Sequence, residues 1–342
     1  MRIATIKDVA RRAQVSLKTV SRVVNDEPSV RQETRARVLK AIEELRYRPN
    51  ASARSLRGAT AHTIALVYDN PNPHYIISVQ HGVLAICGEA GFGLQIHPCN
   101  SKSPTLADDL TALAQRWRLA GLVLAPPMSE NTELLRALTA NAIPLVRIIS
   151  AASDPGDGYP CVYVDDRDAA YAITEHLAQL GHTRIGFLWG GKQHRSSPER
   201  FKGYEDALRD YGIGIDKKLI VAGDYSFDDG FRGARRLFRL KDRPSAIFGS
   251  NDEIAAGVLA AARAAGMNVP YDLSIAGFED SPISRQSWPA LTTARQDTEA
   301  IANHAARLLI AQIRGNADAV GNEGFRPELV VRGSTAPPRP RN

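Results

Sequence analysis

Residues 5–25 read TIKDVARRAQVSLKTVSRVVN. Thr5 and Asp8 have the spacing of a capping box, in which a helix-start hydroxyl and an acid three residues on satisfy each other's exposed groups. Ile6, Val9, Ala10 and Ala13 then follow at helical spacing and make one apolar face. Ser16 is a second N-cap candidate, and Val20, Val23 and Val24 give the next helix its buried side. Gln14 and Val15 alone separate Ala13 from that cap, which is helix-turn-helix spacing. Glycine is common in such a turn. A left-handed backbone at Gln14 costs about 1 kcal/mol relative to glycine. A third helix is predicted over 32–45, with Val38, Ala41, Ile42 and Leu45 on its inner face.

The second helix turns Leu17, Lys18, Ser21, Arg22 and Asn25 outward. Lys and Arg can reach guanine O6 and N7 in the major groove, Asn can read adenine, and Leu17 offers an apolar contact to a thymine methyl. The first sixty residues carry 14 Lys/Arg against 6 Asp/Glu, a net of +8, whereas the whole chain is +6. The remaining 282 residues therefore sum to −2. A compact basic unit joined to a nearly neutral body implies a nucleic-acid partner. After it comes Tyr47-Arg48-Pro49-Asn50-Ala51-Ser52-Ala53-Arg54-Ser55-Leu56-Arg57-Gly58. Asn50 can cap a short helix here and Gly58 can end it. Some seven residues do not hold a helix alone in water. Pairing with a second copy on DNA would order the segment and present Leu56 as a minor-groove wedge. A plain interdomain linker is the alternative.

A chain of 342 residues suggests two or three units, and 44% hydrophobic content is that of a globular protein. Cys87, Cys99 and Cys161 are scattered, with no CxxC pair and no His/Cys cluster, as in a protein with reduced cysteines. No metal or cofactor is expected. No apolar leader opens the chain and no run reaches membrane-spanning length, so the expected location is the cytoplasm.

From His62 onward short apolar runs alternate with helical stretches. Strands are predicted at Thr63-Ile64-Ala65-Leu66-Val67-Tyr68, Phe92-Gly93-Leu94-Gln95-Ile96, Gly121-Leu122-Val123-Leu124 and Pro144-Leu145-Val146-Arg147-Ile148. A second series starts at Val162-Tyr163-Val164 and continues through Ile185-Gly186-Phe187-Leu188, Ala246-Ile247-Phe248 and Leu273-Ser274-Ile275-Ala276-Gly277-Phe278. Strands alternating with helices imply parallel sheets covered on both faces, here two doubly wound subdomains. Ligands in such folds bind at the carboxyl ends of strands. Polar residues fall there: Asp69, Asn70 and Tyr75, then His194, Ser196 and Arg200, Tyr225, Asn251, Glu279 and Gln296, with Arg147 within or beside its strand. Such carboxylates, amides and guanidinium groups can bond sugar hydroxyls in pairs, and an aromatic face can cover a pyranose. Asp252 and Asp280 are read as caps, as are the pairs Asp108-Asp109 and Asp165-Asp166 at helix starts. Gly190-Gly191 lacks the Lys-Ser/Thr of a phosphate loop, and no nucleophile, metal set or cofactor loop points to an enzyme.

The run from Thr5 to Arg57 resembles the DNA-binding headpiece and hinge of the LacI/GalR (lactose-repressor/galactose-repressor) family of bacterial transcription regulators. Asp8-Val9-Ala10, Val15-Ser16, Thr19-Val20-Ser21-Arg22-Val23 and Pro49-Asn50 with Ala53-Arg54-Ser55-Leu56 carry the likeness. The body resembles that family's periplasmic-binding-protein-like effector domain to about Thr335. The resemblance implies an all-α headpiece with a hinge helix, joined to an α/β body of two doubly wound parallel-sheet subdomains. It places the headpiece at 1–46, the hinge at 47–60 and the body at 61–335. The first subdomain would take about 61–160 plus 293–322, the second about 161–292 plus 323–335, and 336–342 would be a mobile tail.

For DNA contact the resemblance implies Thr5, Ser16, Leu17, Lys18, Thr19, Ser21, Arg22, Asn25, Asn50, Ala53 and Leu56. Leu17, Lys18 and Arg22 would read bases and Leu56 would wedge. For the effector it implies Asp69, Tyr75, Arg200, Tyr225, Asn251, Glu279 and Gln296, beside the candidates Arg147 and His194. The family commonly has aspartate at Glu279, so a longer side chain reshapes this pocket. His194 stands where purine-binding members use arginine. The expected function is a homodimeric, cytoplasmic repressor of carbohydrate-utilisation genes, released from a pseudo-palindromic double-stranded operator by a sugar or sugar derivative. A corepressor-dependent regulator is the alternative, and a sugar-binding protein without regulatory role a further one.

Overall fold

A computed structural model of the chain describes residues 4–24, 29–45, 47, 62–70, 72–191, 193–316 and 320–339. Asn25 and the hinge positions Asn50, Ala53 and Leu56 lie outside the described residues. The chain divides into two compact units, Met1–His62 and Thr63–Asn342.

The first unit packs α1 (Ile6–Ala13), α2 (Leu17–Val24) and α3 (Gln32–Glu44) around Val9, Val20 and Val38, each fully buried. Full burial of a valine side chain is worth about 1.5–3 kcal/mol, so the spacing of these few residues positions all three helices. Gln14 does adopt the left-handed conformation, at φ 53° and ψ 47°. Its N–H donates to the carbonyls of Ala10 and Arg11 and closes α1.

The second unit holds two parallel sheets. The larger contains β1 (Thr63–Tyr68), β2 (Gly93–Pro98), β3 (Gly121–Leu124), β4 (Leu145–Ser150), β5 (Cys161–Val164) and β11 (Glu323–Phe325), in the order β11-β5-β4-β3-β1-β2. Ala65, Leu122 and Leu124 face α5 (Leu106–Arg116) and α6 (Thr132–Ala140) through Leu110, Leu134 and Leu138. Alternate strand residues turn to the other face, against α4 (Pro73–Ala90) and α12 (Thr298–Ile313).

The smaller sheet has β6 (Ile185–Leu188), β7 (Ile220–Val221), β8 (Ala246–Gly249) and β9 (Ser274–Ala276) in the order β7-β6-β8-β9. Leu188, Ile247 and Ile275 pack on α9 (Phe227–Phe238) and α10 (Asp252–Ala264). Phe187, Phe248 and Ala276 pack on α7 (Asp166–Gln179) and α8 (Ser196–Asp210). After a short α11 (Pro282–Gln286), β10 (Thr293–Arg295) pairs antiparallel with β12 (Glu328–Val330), and Thr292 bridges to Ala276 at the edge of this second sheet.

Three placements differ from the sequence reading. Cys161–Val164 does not open the second series; it pairs with Leu145–Ser150 in the first sheet, Arg147 opposite Cys161. Glu323–Phe325 likewise joins that sheet, beside β5. Buried parallel strands of either sheet read as the same short apolar runs, so pattern alone does not say which sheet takes them. The segment read as a mobile tail docks through Ala336. Its N–H donates to Ser274 Oγ at 3.0 Å, and its carbonyl lies 2.9 Å from the Nε2 of buried His182. Arg339 donates to Asp272 at 2.8 Å. Among the described residues no helix is long and apolar enough to cross a membrane.

Candidate functional site

The first candidate surface is the outer face of α2. Ser16 Oγ accepts from the Thr19 N–H at 3.1 Å and lies 2.8 Å from Thr19 Oγ1, so these two side chains fix the start of the helix. Thr5 does the same for α1: its N–H and hydroxyl both donate to the Asp8 carboxylate, at 2.9 and 2.6 Å. With Val20 and Val23 buried inward, Leu17 and Lys18 are exposed and Ser21 and Arg22 half-exposed. An exposed helix carrying a lysine and an arginine one turn apart suits a major groove.

The second candidate is a cleft where the carboxyl ends of β1, β4 and β5 face those of β6, β8 and β9. Seven of the nine residues read from the sequence meet there: Tyr75, His194, Arg200, Tyr225, Asn251, Glu279 and Gln296. Two do not. Arg147 sits in the middle of β4, where its guanidinium donates to Asp157 at 2.6 Å and lies over the Tyr159 ring. Asp69 is held by the next loop, where its carboxylate accepts from the Ser101 N–H at 2.8 Å. The neighbouring Asn70 lines the cleft instead.

Asp166, Asn72, Ser150 and Glu130 also line or close the cleft, and the sequence does not mark them as effector residues. Asp165 is the N-cap of α7, as read, but Asp166 is buried and accepts from Arg200 Nε at 2.7 Å. Asn72 caps α4, accepting from the His74 and Tyr75 N–H groups, and lines the cleft. Ser150 ends β4 with its hydroxyl buried. Glu130 follows β3. The sequence reading takes Asp166 with Asp165 as a helix cap and ends the fourth strand at Ile148, two residues short of Ser150.

The two lobes bond across this cleft. Asn72 Nδ2 donates to Glu279 Oε2 at 2.7 Å. On the other side the Arg195 N–H donates to Glu130 at 3.0 Å. Burial pushes Glu279 up to about 8, with Arg200 opposing, and pushes Glu130 up to about 7, against the backbone N–H of Arg195. Burial works against the Arg200 charge too, yet Asp166, Tyr225 and Glu279 outweigh it and raise its pKa. The guanidinium lies 3.7 Å over the Phe278 ring. Burial lowers His194, leaving a neutral imidazole set edge-on to Tyr225.

Two site residues hold backbone conformations that side chains resist: Tyr225 at φ 59° and Glu279 at φ 107°. Such strain, about 1–3 kcal/mol per residue, collects where position matters more than stability. The Tyr225 ring also fills the space beside Gly190, where an added Cβ would stand 2.1 Å from it. Asp252 and Asp280 are built into the lobe itself: Asp252 accepts from the Thr293 hydroxyl and the Ser281 N–H, and Asp280 takes Arg332 and Arg295. The volume between the lobes is about 50 Å³. That admits a few waters, well below the roughly 300 Å³ of a small-ligand pocket, so a ligand must part the two bonds across the cleft.

Family models match at both ends of the chain. Residues 5–50 match that of bacterial regulatory proteins of the lacI family, and 174–335 a periplasmic binding protein-like domain. The chain is 31% identical over 334 residues to an HTH-type transcriptional repressor PurR of Photobacterium profundum, covering 97% of this chain and 98% of that one. A solved lac repressor dimer bound to operator and the anti-inducer ONPF is 26% identical with a TM-score of 0.81, covering 98% and 100%. A solved complex of the transcriptional regulator CelR with cellobiose is 28% identical with a TM-score of 0.72, covering 97% and 99%.

Proposed function

We propose that this chain, a member of the lacI family of bacterial regulatory proteins, represses carbohydrate-utilisation genes and is released from its operator by a sugar or sugar derivative. It acts by binding DNA, not by turnover. Two copies would set their α2 helices in successive half-sites of a pseudo-palindrome, as a two-fold dimer requires. The lac repressor relative is a dimer on operator, and the CelR relative holds cellobiose. The expected location is the cytoplasm, where the DNA is. Leu17, Lys18 and Arg22 would read bases, while Thr5, Ser16, Thr19 and Ser21 position the helix on phosphates.

The observation that carries the effector reading is the pair of bonds joining the lobes, Asn72 to Glu279 and Arg195 to Glu130. A sugar entering between them must break both and offer its hydroxyls instead, so occupancy changes how the lobes meet. The coupling to DNA is as large as the sugar's preference for the non-binding arrangement. The test is fluorescence anisotropy on pseudo-palindromic sites from upstream of the protein's own and neighbouring genes, titrated with sugars at fixed salt. Specific binding released by one sugar is expected. Binding strengthened by ligand would replace induction by a corepressor mode, and no preference over random DNA would overturn the regulator reading.

A further inference from the structure

Two buried polar atoms in the cleft have no hydrogen-bond partner: Ser150 Oγ on the first lobe and His194 Nε2 on the second. Their residues are 3% and 2% exposed. A buried polar group without a partner is costly, and each such group marks where a ligand atom gains most. Both groups are uncharged, a hydroxyl and a neutral imidazole. The charged groups around them are already matched. Arg200 is the one cation among the described residues lining the cleft, and its guanidinium lies 2.7 Å from Asp166 and 3.9 Å from Glu279.

We propose that the cleft selects its effector by charge, taking an uncharged polyhydroxy compound that bridges Ser150 and His194 and rejecting the phosphorylated or carboxylated forms of the same sugar. This rests on the sugar-effector reading above and deepens it. A hydroxyl can donate to one orphan and accept from the other, so a single neutral sugar can satisfy both. A phosphate or carboxylate brought there meets the Asp166 carboxylate and a guanidinium already donating to Asp166 and to the Ser250 carbonyl. In so narrow a cleft that anion would be repelled by Asp166 and left short of donors. Ser150 thereby becomes a specificity residue.

The test is calorimetric titration of the full chain with glucose, galactose, ribose and cellobiose, then with glucose 6-phosphate, galactose 6-phosphate, ribose 5-phosphate and gluconate. A neutral sugar should bind, with its phosphorylated or acidic partner weaker by roughly 100-fold or more. Ser150→Ala should weaken the neutral sugar roughly 10-fold with a melting temperature no lower than that of the unsubstituted protein. Asp166→Asn, which releases Arg200, should narrow the gap between neutral and anionic forms. An anionic form binding as tightly as its neutral partner would overturn the charge inference and leave the sugar reading standing. So would a Ser150→Ala protein with full sugar affinity. Binding of no compound in either set would overturn both.

Discussion

Glu279 shows how much one residue's surroundings decide. Burial holds its carboxyl at about 8 in the folded chain, against an ordinary value of 4.5. A raised carboxyl favours folding while protonated, so its contribution is complete below the unfolded value and is lost as pH climbs toward the folded one. Glu130 and Asp252, each pushed up to about 7 by burial, slope the same way. Stability should therefore fall between about pH 4.5 and 8. Glu279→Gln keeps an oxygen for Asn72 to bond and cannot ionise. It should match the wild type at pH 5 and melt higher at pH 8, by roughly 5 °C. Calorimetry at both values checks this, and an equal offset at the two would refute it. Gln14 carries the opposite lesson. Its left-handed backbone was legible from a two-residue gap between helices, so Gln14→Gly should stabilise the headpiece by about 1 kcal/mol, read as slower amide exchange in α1 and α2. By contrast Asp69 and Asn70 are adjacent in sequence, and which of them turns into the cleft depends on the Ser101 N–H of another loop. No local pattern carries that.

Elements were legible where one face is buried and one is wet. The helices of the headpiece follow from valine spacing, and the body's strands from apolar runs, but the allocation of β5 and β11 to a sheet depends on partners far along the chain. Ser150 and Asp166 escaped for a related reason: the cleft is lined by strand ends, and the ends of β4 and β5 are defined by their pairing. The α9–α10 contact is another long-range fact. Gly230 and Gly257 let the two helices touch backbone to backbone: a Cβ on Gly230 would stand 2.1 Å from the Ile254 carbonyl oxygen, and one on Gly257 2.1 Å from that of Phe227. Neither obstacle is a movable side-chain tip. Gly257→Ala should cost about 1–3 kcal/mol, seen as a lower denaturant midpoint. Gly88, in α4, has nothing within 4 Å of its added Cβ, so Gly88→Ala should instead gain about 0.5–1 kcal/mol. Equal effects of the two substitutions would contradict this account of the helix contact.

At the scale of the whole molecule, charge and cleft are segregated. The first sixty residues hold the net +8 and the other 282 sum to −2, while the cleft pairs its own charges internally. The two binding events should then respond differently to salt. If the dimer neutralises about 6–10 phosphates, operator affinity should fall about 10³–10⁵-fold between 50 and 200 mM salt. Sugar affinity should stay nearly constant over the same range, because a neutral ligand displaces no counterions. The segregation is also physical, since the body has sheets and cores of its own. A chain of residues 62–342 should fold and bind the sugar with the affinity of the full protein in the absence of DNA, yet show no operator binding at 50 mM salt. Salt-dependent sugar binding would place a charged group of the ligand in the cleft. Operator binding by the truncated chain would move the DNA contacts off α2. Retention of sugar binding with loss of DNA binding would leave linkage between the units as the means by which one controls the other, and the sugar's effect on operator affinity in the full chain would measure that linkage directly.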